Sequence, residues 1–206
     1  MPAPLRLFLA SSNPGKLHEY RLLAEDGGAR IDLLADFDGF PAYEETAPTF
    51  AENAAGKAEH YSRFTNEIVL ADDSGLVVPA LKGAPGVYSA RYAGPNAGDA
   101  DRVEKVLREM RTFEGEERLA QFVCVTALAR RGRAFIITSD SVEGTLTKRP
   151  VGSGGFGYDP IFFLPQIGRT YAEASREEKN RLSHRGKAFR KALALLNEPV
   201  SLAWLA

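Results

Sequence analysis

Two adjacent carboxylates, Asp72 and Asp73, follow the apolar run Ile68-Val69-Leu70-Ala71 and precede Ser74-Gly75. The apolar run predicts a buried strand. Successive strand residues point to opposite faces, so one aspartate at most faces a given cleft. At the end of a strand, with Gly75 allowing the chain to turn, such a carboxylate suits a hard cation such as Mg²⁺. Asp-Asp-Ser-Gly also serves as a plain strand-closing turn with solvated side chains. A second candidate is Ser11-Ser12-Asn13-Pro14-Gly15-Lys16, placed directly after the apolar Leu5–Ala10. Asn13 is a good helix N-cap and Pro14 suits the first helical position. Free amides at such a start attract phosphate, and Lys16 adds a positive charge in the first turn. The segment lacks the Walker pattern, and a capped helix with a solvated lysine explains it as well. Asn53 and Lys57 are four apart and share a helix face, where solvated surface is the simpler reading for both. Adjacent carboxylates such as Glu44-Glu45 are more often surface charge than metal ligands.

Gly152-Ser-Gly-Gly-Phe-Gly157 matches G-x-G-x-x-G, but the context is wrong for a dinucleotide fingerprint. That fingerprint follows a strand and opens a helix. Here Lys148-Arg149-Pro150 precedes it, and Pro160 breaks any helix after it. What remains is a glycine-rich loop carrying Phe156, Tyr158 and Asp159. Its aromatics suit stacking on a base or packing into the core, and for Tyr158 both readings stand. The charged stretch from Ser175 to Lys187 holds Lys179, His184 and Arg185, with acidic residues interspersed. That mixture argues against a stripe that tracks nucleic-acid phosphates. No covalent nucleophile stands out: Cys124 lies in an apolar run, and Ser74 has no evident base partner.

The elements that must position these groups read as alternating strands and helices. Strands are predicted at Leu5–Ala10 and Ile31–Leu34, with a helix between them that carries Leu17, Tyr20 and Ala24 and ends at Gly27-Gly28. A helix spans about Thr49 to Phe64, with Phe50, Ala54, Ala58 and Tyr61 along one face. Leu76–Leu81 is a strand or extended segment. Val103, Val106, Leu107 and Met110 mark an amphipathic helix over Asp99–Met110. Arg118–Ala129 and Arg133–Gly144 read as strands joined at Arg130-Arg131-Gly132, the first apolar on both faces and therefore central. Phe189, Ala192, Leu193 and Leu196 mark a last helix, capped by Ser183.

With 206 residues, 44% apolar and 26% charged, the chain fits one domain, 1–206, with a sizeable core. The net charge of −1 gives no global attraction to nucleic acid or anionic membrane. The single cysteine allows no intramolecular disulfide and suits a reducing compartment. The short apolar N-terminal run is interrupted by Ser11-Ser12-Asn13, unlike a signal peptide, and no segment is long enough to span a bilayer. A soluble cytoplasmic protein is expected.

Taken together the segments resemble the inosine/xanthosine triphosphate pyrophosphatases, which remove deaminated purine nucleotides. The resemblance rests on Ser11–Lys16, Glu44-Glu45-Thr46, Phe50-Ala-Glu-Asn-Ala-Ala-Gly-Lys57 and Ala71-Asp-Asp-Ser-Gly75. It continues through Gly83–Gly94, Gly152–Phe163 and Glu177–Gly186, in the family's order and over nearly the whole chain. Ser11-Ser12 departs from the family's usual Thr-Gly or similar, but small residues remain. The resemblance implies an α/β fold: an elongated mixed β-sheet flanked by helices, two lobes with a central nucleotide-binding cleft, and a homodimer. It implies Mg²⁺-dependent cleavage between the α- and β-phosphates of ITP, dITP or XTP; with no covalent nucleophile in evidence, direct attack by water at the α-phosphorus is expected. Carried onto this sequence, Ser11, Ser12, Asn13, Pro14, Gly15, Lys16 and Lys57 would hold phosphates. Asp73 would be the general base and, with Glu45, a metal ligand; Glu44 and Asp72 remain open as participants. Ser74 would contact substrate, and Phe156, Gly157, Tyr158 and Asp159 would line the base pocket. Lys179, His184 and Arg185 would close over the nucleotide and read the purine edge. Other readings are a pyrophosphatase with another base preference, a non-hydrolysing nucleotide sensor, and a nucleic-acid module using the basic C-terminal segment.

Overall fold

A computed structural model describes residues 5–34 and 37–198. The first four residues of the apolar N-terminal run lie outside them. The described chain begins with strand β1 (Leu5–Leu9), helix α1 (Pro14–Asp26) and strand β2 (Ala29–Leu33). Helix α2 (Phe50–Ser62), strand β3 (Val69–Val77) and helix α3 (Asp99–Glu109) follow. Two long strands, β4 (Leu119–Arg130) and β5 (Arg133–Leu146), lead to the short β6 (Phe162–Leu164) and β7 (Arg169–Thr170). Helices α4 (Arg176–Leu182) and α5 (His184–Leu196) end the described chain.

Among the described residues the strands form one sheet in the order β2-β1-β3-β4-β5-β6-β7. β1 runs parallel to both β2 and β3, whereas β5, β6 and β7 pair antiparallel, so the sheet is mixed. β4 takes the middle place, as its two apolar faces predict. Its connection to β5 is a tight turn with Arg131 at φ 52° and Gly132 at φ 78°. Two consecutive left-handed residues match the twist of paired strands.

The chain divides into two compact units. The first comprises the chain to Asp73, Cys124–Asp140 and the chain from His184; the second comprises Ser74–Val123 and Ser141–Ser183. In the first unit, strand alternation feeds two cores. Leu7, Leu9, Ile31, Leu70 and Leu128 pack with Tyr20 and Leu23 of α1 and with Phe189, Leu193 and Leu196 of α5. Phe8, Ala10, Val69, Ala71, Val125 and Ala127 pack with Ala54, Ala58 and Tyr61 of α2. Helices thus flank the sheet, and strands buried on both faces read as continuous apolar runs. The second unit has its own core, including Leu76, Val103, Val106, Met110, Phe122, Phe162 and Tyr171. Arg118 is buried there, donating to the carbonyls of Met110, Leu146 and Thr147. A guanidinium with several fixed donors ties the end of α3 to both long strands through main-chain carbonyls.

One expectation about β3 is overturned. The strand does not end at the aspartates but runs on through Ser74 and Gly75 to Val77. Asp72 and Asp73 are therefore mid-strand residues, and Gly75 serves close approach rather than a turn. An added Cβ at Gly75 would overlap Ser89 Oγ and the Gly86 carbonyl. Ser89 Oγ accepts from Leu76 N (2.9 Å) and donates to Gly86 O (2.7 Å), which clamps the 86–91 segment onto the strand. Leu76–Leu81 is correspondingly only half strand, since a 3-10 turn occupies Pro79–Leu81.

Candidate active site

Because β3 continues through the aspartate pair, its alternation sends the two carboxylates to different surroundings. Asp72 is fully buried within the first unit. Its Oδ1 accepts from Lys16 Nζ (2.9 Å), and its Oδ2 accepts from Arg185 Nε (3.2 Å). Arg185 in turn pairs with Glu19. Burial pushes the Asp72 carboxyl up, but Lys16, Arg185 and Lys57 outweigh it and hold the group well below the usual carboxylate range. Asp72 is a permanent anion that fixes two cations.

Asp73 is 5% exposed and accepts a hydrogen bond from Asn53 Nδ2 (3.0 Å). Burial, and after it the negative charge of Glu45, push its carboxyl up to about 6, against the opposing pull of Lys16, Lys57 and the Asn53 bond. Opposite perturbations of two neighbouring carboxylates separate their roles: one stays ionised, the other is poised to take a proton near neutral pH.

Helix α2 supplies the groups around Asp73. Thr49 caps it, accepting from Glu52 N. Asn53 and Lys57 do share a face, but that face is buried: Asn53 is 0% and Lys57 8% exposed. The expectation of solvated surface fails because the 41–47 loop lies against the helix. Lys57 Nζ donates to Glu45 of that loop. Burial lowers the lysine's proton affinity, but Glu45 and Asp72 overcome this and the net shift is upward, so it stays an ammonium. Glu45 is partly buried, whereas Glu44 is exposed.

At the start of α1 the local prediction holds in detail. Asn13 Oδ1 accepts from Lys16 N (3.1 Å), and Pro14 is the first helical residue. Ser11 Oγ accepts from Asn13 N (3.2 Å), Ser12 is exposed, and Gly15 is half-buried. An open pocket of about 570 Å³ is lined by Ser11 to Pro14 together with Leu33, Leu34 and Phe37.

In the second unit the glycine-rich loop is folded around Asp159. This buried carboxylate accepts from Phe156 N (2.8 Å) and Lys179 Nζ (2.5 Å). The Lys179 ammonium also lies 4.6 Å from the centre of the Phe156 ring. Gly155 sits at φ +72°, with no space for a Cβ beside Asp159. Gly157 N donates to Asp99 Oδ2 (2.6 Å) at the start of α3. Tyr158, for which two readings stood open, has its ring in the core and its hydroxyl on Ser89 O (2.9 Å). Ser74 is half-buried.

His184 and Arg185 are the first two residues of α5, both buried. Arg185 was expected at a purine edge; in this structure its Nε and one terminal nitrogen already serve Asp72 and Glu19. Sequence reasoning missed Glu19, although its i+3 spacing from Lys16 puts the two on one helix face. It also missed the partner role of Asp99, for which the sequence carries no signal. Cys124 is buried as expected, its thiol pushed up to about 12 by burial and by Asp72. No reactive thiolate is available there.

Among the described residues, no three or more His, Cys, Asp and Glu side chains are grouped to hold a metal ion. The acidic groups that feel each other are Asp73 and Glu45. Two oxygen donors with mutually repelling charge fit Mg²⁺, which takes one or two carboxylates and fills its octahedron with water and phosphate oxygens. Among the described residues, no helix is long and apolar enough to cross a membrane.

Comparison with known proteins matches residues 7–195 to the model of the Ham1 family. A dITP/XTP pyrophosphatase of Geobacillus kaustophilus is 47% identical over 185 residues, covering 90% of this chain and 91% of the relative. Another, of Pectobacterium atrosepticum, is 47% identical over 194 residues, covering 93% and 98%. A HAM1 protein structure from Coxiella burnetii superposes with a TM-score of 0.82 at 43% identity, covering 93% of this chain and 98% of that one.

Proposed function

The chain belongs to the Ham1 family of dITP/XTP pyrophosphatases, and from that premise we propose that it hydrolyses ITP, dITP and XTP to the monophosphate and pyrophosphate. The purpose would be to clear deaminated purines before they enter DNA or RNA. The observation that carries the mechanism is the placing of Asp73: a buried carboxylate on β3, held by Asn53, pushed up by burial and Glu45 and opposed by the charges of Lys16 and Lys57.

Asp73 accepts the proton of the attacking water, which is directed at the α-phosphorus. A base near the working pH combines availability with driving force. Lys16 and the α1 start (Ser11 to Gly15) bind the phosphates through ammonium charge and free amides. Lys57 offsets charge on the same polyanion. Bound Mg²⁺, held by Asp73 and Glu45, would supply Lewis-acid neutralisation of the developing phosphoryl charge. Phe156 would offer its ring to the base, Gly157 its backbone, and Lys179 with Asp159 a paired donor and acceptor. Tyr158 would shape that segment from within the core. Ser74 would touch the substrate, and His184 with Arg185 would serve the purine edge once Arg185 shares its carboxylate partners. Selection follows the six-position: a carbonyl there pairs with donors that adenine's amino group would leave unsatisfied. We place the protein in the cytoplasm, in keeping with its single buried thiol, and propose a homodimer on the family resemblance alone.

The test is product release from ITP, dITP, XTP, GTP, dGTP, ATP and dTTP with Mg²⁺, with pyrophosphate and orthophosphate quantified separately. Pyrophosphate from ITP and XTP, with little from ATP or GTP, is expected. Orthophosphate alone would move the attack to the γ-phosphorus and end this reading.

A further inference from the structure

Glu45 sits in a loop without regular secondary structure, whereas Asp73 sits in the middle of a strand. Nothing in the covalent chain keeps these two carboxylates at a fixed separation. A side chain that hydrogen-bonds both their supports is Asn53, on α2. Its Oδ1 accepts from Ala47 N (3.0 Å), and its Nδ2 donates to Ala47 O (3.2 Å). The same Nδ2 donates to Asp73 Oδ2 (3.0 Å). One amide thus pairs both main-chain groups of the residue two beyond Glu45 and spends its second N–H on the carboxylate. The donor and acceptor pattern admits a single orientation of the amide. Turned over, its oxygen would face both a carboxylate and a carbonyl.

Asn53 is 0% exposed, so water does not replace any of these bonds. Only an amide has the required one acceptor and two donors at this length. Aspartate would face Asp73 with like charge and no donor, and an apolar residue would orphan the Ala47 N–H and C=O. We infer that Asn53 is a positioning residue for the reaction: it locks the Glu45 loop to Asp73 and thereby sets the distance between the two carboxylates. Anchoring Oδ2 of Asp73 also fixes how the second carboxylate oxygen is presented. Elsewhere on α2, Lys57 Nζ donates to Glu45 itself, and further contacts hold the loop along the helix. Tyr61 Oη accepts from Tyr43 N (3.2 Å), and Gly56 leaves room for the Tyr43 ring. His60 Nε2 meets Pro41 O (2.7 Å). These contacts bring the loop to the helix, and Asn53 extends the connection to Asp73.

The inference rests on the proposed hydrolysis, and its test separates the two. Wild type, Asn53→Ala and Asn53→Asp, each as the full chain, are compared in two measurements. The first is calorimetric binding of Mn²⁺, as a probe for Mg²⁺, without nucleotide. The second is steady-state release of pyrophosphate from ITP. Outer residues that orient metal-binding carboxylates cost ~10–100-fold in affinity or rate when lost. Asn53→Ala is expected to weaken Mn²⁺ binding and to lower kcat by about that factor, with KM for ITP changed less than about threefold. In an Asp73→Asn background the same substitution should have no further effect on Mn²⁺ binding, because the group it positions is gone. A merely structural role would add its loss there undiminished. If Asn53→Ala does not fold, Asn53→Asp, of equal volume and without donors, must show the fall in kcat. Wild-type Mn²⁺ affinity and kcat in a folded variant overturn the inference. A wild type that releases no pyrophosphate overturns the proposed function instead.

Discussion

Asp73 and Asp72 are neighbours of one residue type with opposite electrostatics, and what separates them is the company each keeps. Asp72 is surrounded by Lys16 and Arg185 and stays charged; Asp73 is desolvated, with Glu45 near it, and binds a proton readily. Asp73→Asn should lower kcat for ITP by ~10²–10⁴-fold, the usual share of a general base. Activity within tenfold of wild type would remove Asp73 from that role. Asp72→Asn should act differently, through stability, because it leaves Arg185 and Lys16 short of their buried anion. Breaking a buried pair from one side costs about 3–5 kcal/mol, read as a fall in Tm; an unchanged Tm would show that Glu19 alone satisfies Arg185. The adjacent carboxylates were plain in the sequence, but the division of labour between them was not. It depends on Lys16, Glu45 and Arg185, which the chain brings to β3 from far away in sequence. Lys57 and Asn53 were misread as solvated for the same reason. Residue type argues for exposure, and only the 41–47 loop lying on α2 reverses it.

Local sequence signals were reliable wherever the determinant was itself local. The Asn13 cap and Pro14 start of α1, the stripe of α5 and the turn joining β4 to β5 all occur as their composition predicts. The end of β3 was lost because Asp-Asp-Ser-Gly is turn-like in composition, whereas tertiary contacts keep it extended. Gly75 is the physical reason: its hydrogen allows Gly86 and Ser89 to lie against the strand. Gly75→Ala should therefore destabilise by overpacking, about 1–3 kcal/mol, with a Tm lower by ~2–4 °C for each kcal/mol. An unchanged Tm would mean that the 86–91 segment yields freely. At α1, Asn13→Ala should cost about 1 kcal/mol as a lost cap. If the helix start also binds phosphate, the substitution should raise KM for ITP more than it lowers kcat. A pure Tm effect with unchanged KM would leave the motif a cap and nothing more.

At the scale of the whole molecule, the proposed metal site couples stability to pH. Asp73 has a folded-state carboxyl at about 6, above the ordinary value near 4. The folded state therefore binds more protons than the unfolded state between those values, and metal-free stability falls as pH rises through that window. At neutral pH the penalty is about 3 kcal/mol, since each pH unit of separation corresponds to ~1.4 kcal/mol. Asp72 works in the opposite sense, as does Asp32, whose carboxyl is lowered chiefly by its bond to Arg6. Their stabilisation is complete above about pH 4 and is lost only as pH falls below it. The two effects occupy different windows, so the Asp73 effect is read between pH 4 and 6, as the difference between wild type and Asp73→Asn. Metal-free Asp73→Asn, which keeps the shape and sheds the charge, should melt several degrees above wild type at pH 7 and match it near pH 4. Added Mg²⁺ binds the folded state and raises its stability by mass action. For wild type that increment should grow from pH 5 to pH 7 as Asp73 ionises, and for Asp73→Asn it should be small throughout. Thermal melts of both proteins, with and without Mg²⁺ across this range, decide the matter. Equal Mg²⁺ increments in the two proteins would detach the metal from Asp73, whatever the catalytic assays show. A metal-free wild type that is more stable at pH 7 than the variant would mean that Lys16 and Lys57 already neutralise the site.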